Sequence, residues 1–166
     1  RAIGGIVNAV TNSGTNAMSG SGYGYFRDTS LNSQDALSKQ RGAPKSELQR
    51  QLYGGPLGGP ILRDRTFFFG AVERLQEDTP QDNNITAENG QILGLPAEDV
   101  GAVTGTLRDT FAMGKVNHRL SQNHSLQLGY VMTKDVNAST FSSFATRSRR
   151  SRLSSTDQAY QAQWTG

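Results

Sequence analysis

Phe111-Ala112-Met113-Gly114-Lys115-Val116-Asn117-His118-Arg119-Leu120, then Ser121-Gln122-Asn123-His124, then Ser125-Leu126-Gln127-Leu128-Gly129-Tyr130-Val131-Met132-Thr133: this stretch decides the fold class. In an extended chain, successive side chains point to opposite faces. The first segment then sets Ala112, Gly114, Val116 and Leu120 on one face, with His118 as a polar intrusion. Lys115, Asn117 and Arg119 fall on the other. The second segment sets Leu126, Leu128, Tyr130 and Met132 against Gln127, Gly129, Val131 and Thr133. The four residues between them are a hairpin length. The reading is a pair of antiparallel strands, each with one apolar face.

The same grammar extends outward. Ile6–Thr11 is β-branched and runs into the turn cluster Asn12-Ser13-Gly14. Ser21–Arg27 puts Tyr23 and Tyr25 on one face and Gly22, Gly24 and Phe26 on the other. Gln51–Pro60 is broken by glycines, and its Pro56 and Pro60 argue against a central strand in an ordinary sheet. Thr66–Gln76 is a strong strand led by Phe67-Phe68-Phe69. Ser154–Gly166 alternates Tyr160, Ala162 and Trp164 with Gln161 and Gln163. A short helix is expected to start at Pro96, ahead of Ala97-Glu98-Asp99-Val100.

Connections alternate in length. Ile61–Arg65 and Ser121–His124 are short; Thr29–Glu47, Glu77–Asp109 and Asp135–Leu153 are long. Half-apolar strands of about 9–12 residues, with tight turns at one end and long loops at the other, fit a transmembrane β-barrel. The composition agrees. Hydrophobic residues make up 34% of the 166 residues, beside 19 glycines, which is thin material for a two-layer core. A membrane supplies the second apolar layer, and each strand then needs one apolar face. The competing architecture is a soluble β-sandwich, in which loops this long are unusual.

Several chemistries drop out. The chain has no cysteine, so disulfides, thiolate metal sites and thiol nucleophiles are absent. The longest apolar run is the six residues Phe67–Val72, far short of the roughly 20 that a spanning helix needs. The chain opens on Arg1 with neither initiator Met nor apolar leader, and the reading expects an internal piece of a longer protein. Gly54–Pro60 lacks the Gly-Lys-Ser/Thr ending of a phosphate loop. His118 and His124 lack a carboxylate neighbour for a metal site and read as solvated turn histidines. Arg147–Arg152 is basic but has no aromatic residue and no binding module beside it. It reads as a solvated loop, and the net charge of +3 does not demand nucleic acid. No residue pattern points to catalysis, and no cofactor is expected.

Two segments carry a family resemblance. Gly4-Gly5-Ile6-Val7-Asn8-Ala9-Val10-Thr11-Asn12-Ser13-Gly14-Thr15-Asn16 resembles the end of the plug domain of TonB-dependent outer-membrane receptors, and Ser19–Arg27 resembles the strand that follows it. Gln51-Leu52-Tyr53-Gly54-Gly55-Pro56-Leu57-Gly58-Gly59-Pro60-Ile61, with Asp64-Arg65-Thr66-Phe67-Phe68-Phe69-Gly70 after it, is similar to the Oar-like group of that family. Phe111–Gly166 fits generic barrel strands.

The resemblance implies an all-β chain: about six strands of a larger plugged barrel of about 22 strands, in the bacterial outer membrane. Residues 1–16 are expected to be the end of the plug, with a hinge at Gly14, Thr15 and Asn16, and residues 17–166 the start of the barrel. Tyr23, Tyr25, Val116, Leu126, Leu128, Tyr130, Met132, Tyr160 and Trp164 are expected to face lipid or form interface girdles. Lys115, Asn117 and Arg119 are expected to face the lumen. The implied role is energised uptake of a ligand that the sequence does not identify. The implied partners are outer-membrane lipid, the rest of the barrel and plug, and the TonB complex through plug segments outside this sequence. The alternative function is a soluble or surface-displayed β-domain acting as an adhesin or carbohydrate binder; a nucleic-acid-binding fragment is a weaker third.

Overall fold

One continuous antiparallel sheet makes up the computed structural model, which describes residues 13–31, 33, 48–81, 85–96, 99–100, 103–139, 146, 149 and 151–166. Its strands are β1 (Ser19–Gly20), β2 (Tyr23–Arg27), β3 (Gln49–Leu62), β4 (Thr66–Gln81), β5 (Val103–Arg119), β6 (Ser125–Ser139) and β7 (Ser151–Thr165). From β3 onward, neighbours in sequence are neighbours in the sheet, and both β1 and β2 lie on the free side of β3. The expected strand at Ile6–Thr11 lies outside the described residues.

β1 and β2 are one strand with a gap. Gly20 faces Leu57 and Tyr23 faces Gly54, so both pieces share a single register on β3. The gap at Ser21–Gly22 falls opposite Pro56. The Ser21 N–H donates to the Pro56 carbonyl at 3.1 Å. An antiparallel pair of this kind normally returns a second bond, and proline has no N–H to return it. Pro60 stands four residues on and has the same parity, so its missing donor also faces the N-terminal edge. On the other side the β3–β4 ladder keeps its register, pairing Pro56 with Ala71 and Pro60 with Phe67, up to an irregularity between Pro60 and Leu62. β3 is therefore internal despite its prolines, because both gaps fall on one side.

The turns at one end are short. Arg63-Asp64-Arg65 joins β3 to β4, with Asp64 at φ +61°, a left-handed conformation that Asp tolerates better than most residues. The Arg119 N–H donates to the Arg65 carbonyl at 2.8 Å, and the Leu120 N–H to the His124 carbonyl at 2.9 Å. At the other end the strands run further than expected. β4 continues to Gln81, β5 begins at Val103, β6 continues to Ser139 and β7 begins at Ser151. The long connections Glu77–Asp109 and Asp135–Leu153 shrink to 82–102 and 140–150 accordingly. The added segments scatter single apolar residues such as Leu107, Val136 and Leu153 among polar ones on both faces, so they carry no period-two apolar signal.

A helix that the sequence reading did not name precedes Pro96. α1 spans Ala87–Ile92, ahead of Pro96. The Thr86 hydroxyl caps it by accepting from the Asn89 N–H at 3.2 Å. It ends at Gly94, whose φ is +64°, with the Leu95 N–H returning to the Gly90 carbonyl at 2.8 Å. Pro96 thus follows a glycine-terminated helix, where proline is common. The Asp99 N–H returns to the Pro96 carbonyl at 2.9 Å and Asp99 lies in a 3-10 turn, so the helical turn expected from Pro96 is present as well.

The sheet is a single layer. Among the described residues, Ile85 beside α1 is the only buried apolar side chain. No described element covers either face of β3–β7.

Candidate functional site: two faces of one sheet and the segment that enters it

Paired residues on neighbouring strands project to the same face, so the registers assign every strand side chain. Val116 aligns with Phe68 on β4, Leu128 on β6 and, through Leu128, Ala162 on β7. Leu126 pairs with Trp164, Tyr130 with Tyr160, and Met132 with Ala112 and Gln158. These residues form one apolar stripe, together with Val72 and Leu57. It is open to the outside: Leu128 is 49% exposed, Val72 54%, Trp164 64% and Tyr160 76%. Tyr130 and Tyr160 lie with ring centroids 5.0 Å apart. Toward the long-loop end the stripe gives way to Arg74, Arg108 and Lys134. There Arg74 donates to the Thr110 hydroxyl and Arg108 pairs with Asp78 at 2.6 Å.

The opposite face is mixed, with charged and polar groups standing among Leu52, Phe67, Phe69, Leu75, Phe111, Met113 and Val131. Lys115 aligns with Phe69, Gly129 and Gln161; Asn117 aligns with Phe67, Gln127 and Gln163; Arg119 pairs with Ser125. Lys115 is only 7% exposed. Further along are Glu73, Glu77, Asp109, Asp135 and Asp157, with Asp109 directly opposite Asp135. Arg50 meets Glu77 at 3.4 Å.

The registers divide the residues that the sequence grouped as one apolar set. Val116, Leu126, Leu128, Tyr130, Met132, Tyr160 and Trp164 share the apolar face. Tyr23 and Tyr25 do not. Tyr23 aligns through Gly54 with Glu73, and Tyr25 through Leu52 and Leu75 with Asp109. Both therefore stand on the face of Lys115, Asn117 and Arg119, and the Tyr23 hydroxyl donates to the Glu73 carboxylate. The residues on the apolar side of this strand are Gly20, Gly22, Gly24 and Phe26. Alternation within the strand separates the two sets but does not say which faces out; only pairing with β3 does. The Phe triplet splits as well, Phe68 to the apolar face and Phe67 and Phe69 to the opposite one.

His118 departs from the solvated turn expected of it, whereas His124 is an exposed residue of the β5–β6 turn as expected. His118 is a β5 residue whose Nδ1 lies 2.7 Å from the Thr66 hydroxyl. His124 stacks on Trp164 with centroids 5.4 Å apart. Among the described residues no three His, Cys, Asp or Glu side chains gather as a metal site. Residues 147, 148 and 150 of the basic run lie outside the described residues, and Ser151 and Arg152 belong to β7.

Gly14, Thr15 and Asn16 sit at the rim where the chain crosses the sheet. A Cβ on Gly58, which faces the Lys115 side, would lie 3.7 Å from Gly14 Cα. Gly14 itself has no room for a side chain, since a Cβ there would collide with the Phe68 carbonyl oxygen. Met18, two residues past Asn16, lies over Gly59 on the apolar side. The chain therefore rounds the rim between Gly14 and Met18. At that corner the Asn16 carboxamide binds Asp64 twice: its Oδ1 accepts from the Asp64 N–H at 2.7 Å, and its Nδ2 donates to Asp64 Oδ1. Nothing in the sequence marks this pair, which is 48 residues apart.

Comparison with known proteins adds two findings. Residues 10–94 match the family described as "Outer membrane beta barrel domain". The chain is also similar to the TonB-dependent transporter Oar of Myxococcus xanthus, at 27% identity over 144 residues, covering 76% of this chain. It spans 14% of the length of that relative. No solved structure matches.

Proposed function

Since this chain belongs to the outer membrane β-barrel domain family, whose place is the bacterial outer membrane, we propose that its sheet is the opening part of the wall of a TonB-dependent receptor. The whole receptor takes up a ligand with energy delivered by the TonB complex, and this segment serves as wall and plug attachment without catalysing a reaction. Residues 1–16 end the plug and 17–166 begin the barrel. Val116, Leu126, Leu128, Tyr130, Met132, Tyr160 and Trp164 meet lipid or its interface. Lys115, Asn117 and Arg119, joined by Tyr23 and Tyr25, face the lumen.

The observation that carries this reading is the uncovered apolar stripe on a single-layer sheet. Buried strand backbone is satisfied within the sheet, and the apolar side chains need an apolar medium on that side only. A sandwich would supply that medium as a second sheet, and none is present among the described residues.

Two further features support the reading. The first is the slant of the stripe. Its limit toward the long loops is Tyr53 on β3, Val72 on β4, Ala112 on β5, Met132 on β6 and Tyr160 on β7. Tyr53 pairs with Arg74, two residues beyond Val72, and Met132 pairs with Gln158, two residues beyond Tyr160. The limit thus drifts four residues across four strand spacings. At about 3.4 Å per residue and about 4.8 Å per strand, that is a slant of about 35°. Barrel strands tilt by about 35–45° to the membrane normal, so a level membrane crosses them at this slant. The second feature is the position of Gly14 over the Lys115 face. A plug fills the lumen, and the chain that leaves it must cross to the wall from that side.

The test has two arms on the full-length protein. It should fractionate with the outer membrane and migrate as a heat-modifiable barrel. Held in lipid nanodiscs, it should bind the periplasmic domain of TonB. A barrel without TonB binding overturns the energised-uptake part; a soluble product overturns the wall.

A further inference from the structure

The strand that receives the chain from the rim is poorly fastened. β1 and β2 meet β3 across only seven paired positions. The ladder lacks the bond that Pro56 cannot donate, and beyond Ser19 it meets Pro60, which again offers no donor toward this edge. Tension applied at Met18 along the chain would open such a ladder one bond at a time from its weakest end. The lipid side of the strand gives little help, since it presents Gly20, Gly22 and Gly24 before Phe26.

Just ahead of this strand stands the double hydrogen bond of Asn16 to Asp64. Its geometry imitates one rung of a ladder, with a carboxamide as the second strand. Its anchor is the turn between β3 and β4, two strands fastened to each other over their whole length. Arg119 from β5 also braces that turn, donating through its guanidinium to the Asp64 carbonyl at 3.2 Å. Gly14, seated against Phe68 and Gly59, holds the chain on the near side of the same point.

We propose that the Asn16–Asp64 pair is a clasp that stops tension on the plug from reaching the first barrel strand. The inference rests on the receptor reading, because only a pulled plug supplies the tension. Force drawn through residue 14 ends at the β3–β4 turn, and the weak ladder from Ser19 to Arg27 stays closed.

The experiment pulls the full-length receptor by the N-terminus of its plug in a supported bilayer, using single-molecule force spectroscopy. In the parent protein the plug unravels up to Asn16, and the first strand detaches only in a separate event at higher force. In Asn16→Ala, which removes both bonds, residues 17–27 come away together with the plug; in Asp64→Gly, which keeps the turn's positive φ and the backbone N–H but loses the carboxylate acceptor, the first strand detaches at a lower force than in the parent. Eleven residues at about 3.3–3.6 Å each lengthen the plug event by roughly 35–40 Å. Adding Pro56→Ala to Asn16→Ala returns a donor toward Ser21 and raises the force at which the strand peels. Plug events of parental length in Asn16→Ala overturn the clasp. The receptor reading fails separately, if the parent protein forms no bilayer-inserted barrel or its N-terminal part shows no discrete unravelling. Heat-modifiability of each variant confirms that the barrel itself is intact before it is pulled.

Discussion

At the residue scale, what matters is which of two neighbours meets lipid. Leu128 and Gln127 are adjacent, yet the registers put Leu128 with Val116 and Ala162, and Gln127 with Asn117 and Gln163. A cation near the middle of the lipid face costs about 2–4 kcal/mol, while the lumen tolerates it. Leu128→Arg is therefore expected to destabilise the receptor by about that amount, and Gln127→Arg to leave it nearly unchanged. Denaturant titration of the full-length protein in vesicles measures both. A second residue effect concerns Gly59. Met18 occupies the space above it, so Gly59→Val must displace Met18 or the strand. Overpacking of this kind costs roughly 1–3 kcal/mol, and faster amide exchange at residues 18–20 should accompany it. The paired alternation in Phe111–Thr133 made the division of Lys115, Asn117 and Arg119 from their apolar neighbours legible from sequence. Tyr23 and Tyr25 were not, because glycine on one side and tyrosine on the other looks the same whichever face is out. The Asn16–Asp64 pair was hidden for another reason: a contact spanning 48 residues leaves no local pattern.

At the element scale, strands over the apolar band announced themselves and their outer extensions did not. Thr104, Thr106, Arg108, Val136 and Ala138 sit on the apolar face's continuation, but polar and charged residues alternate with little contrast there. Nothing in such a segment distinguishes a strand standing clear of the membrane from a loop. The turn at Pro96 was legible, but α1 ahead of it was not; its signals are Thr86 and the left-handed Gly94. A Cβ in that conformation costs about 1–2 kcal/mol. Gly94→Ala is expected to loosen α1 by that much without touching the barrel. Hydrogen exchange should rise at residues 90–95 and stay unchanged in β4 and β5. Exchange rising throughout the sheet instead would mean that the helix is structurally coupled to it.

At the scale of the whole molecule, the sheet has an apolar stripe on one face, a mixed and more charged opposite face and no second layer among the described residues. The low hydrophobic content is a consequence: each strand supplies half a core and the membrane supplies the rest. The slant of the stripe predicts strands inclined by about 35° in the assembled receptor. Polarised infrared spectroscopy on oriented membranes checks this, and strands parallel to the normal would break the relation between register and membrane level. The most direct test of the central claim is a spin-label scan of β6, from Ser125 to Ser139, in the full-length receptor reconstituted in lipid. Oxygen accessibility should peak at residues 126, 128, 130 and 132 and decline from Lys134 onward, while a water-soluble nickel chelate should be favoured at 127, 129, 131 and 133. Chelate access at both sets, or oxygen maxima at the odd positions, would contradict the account.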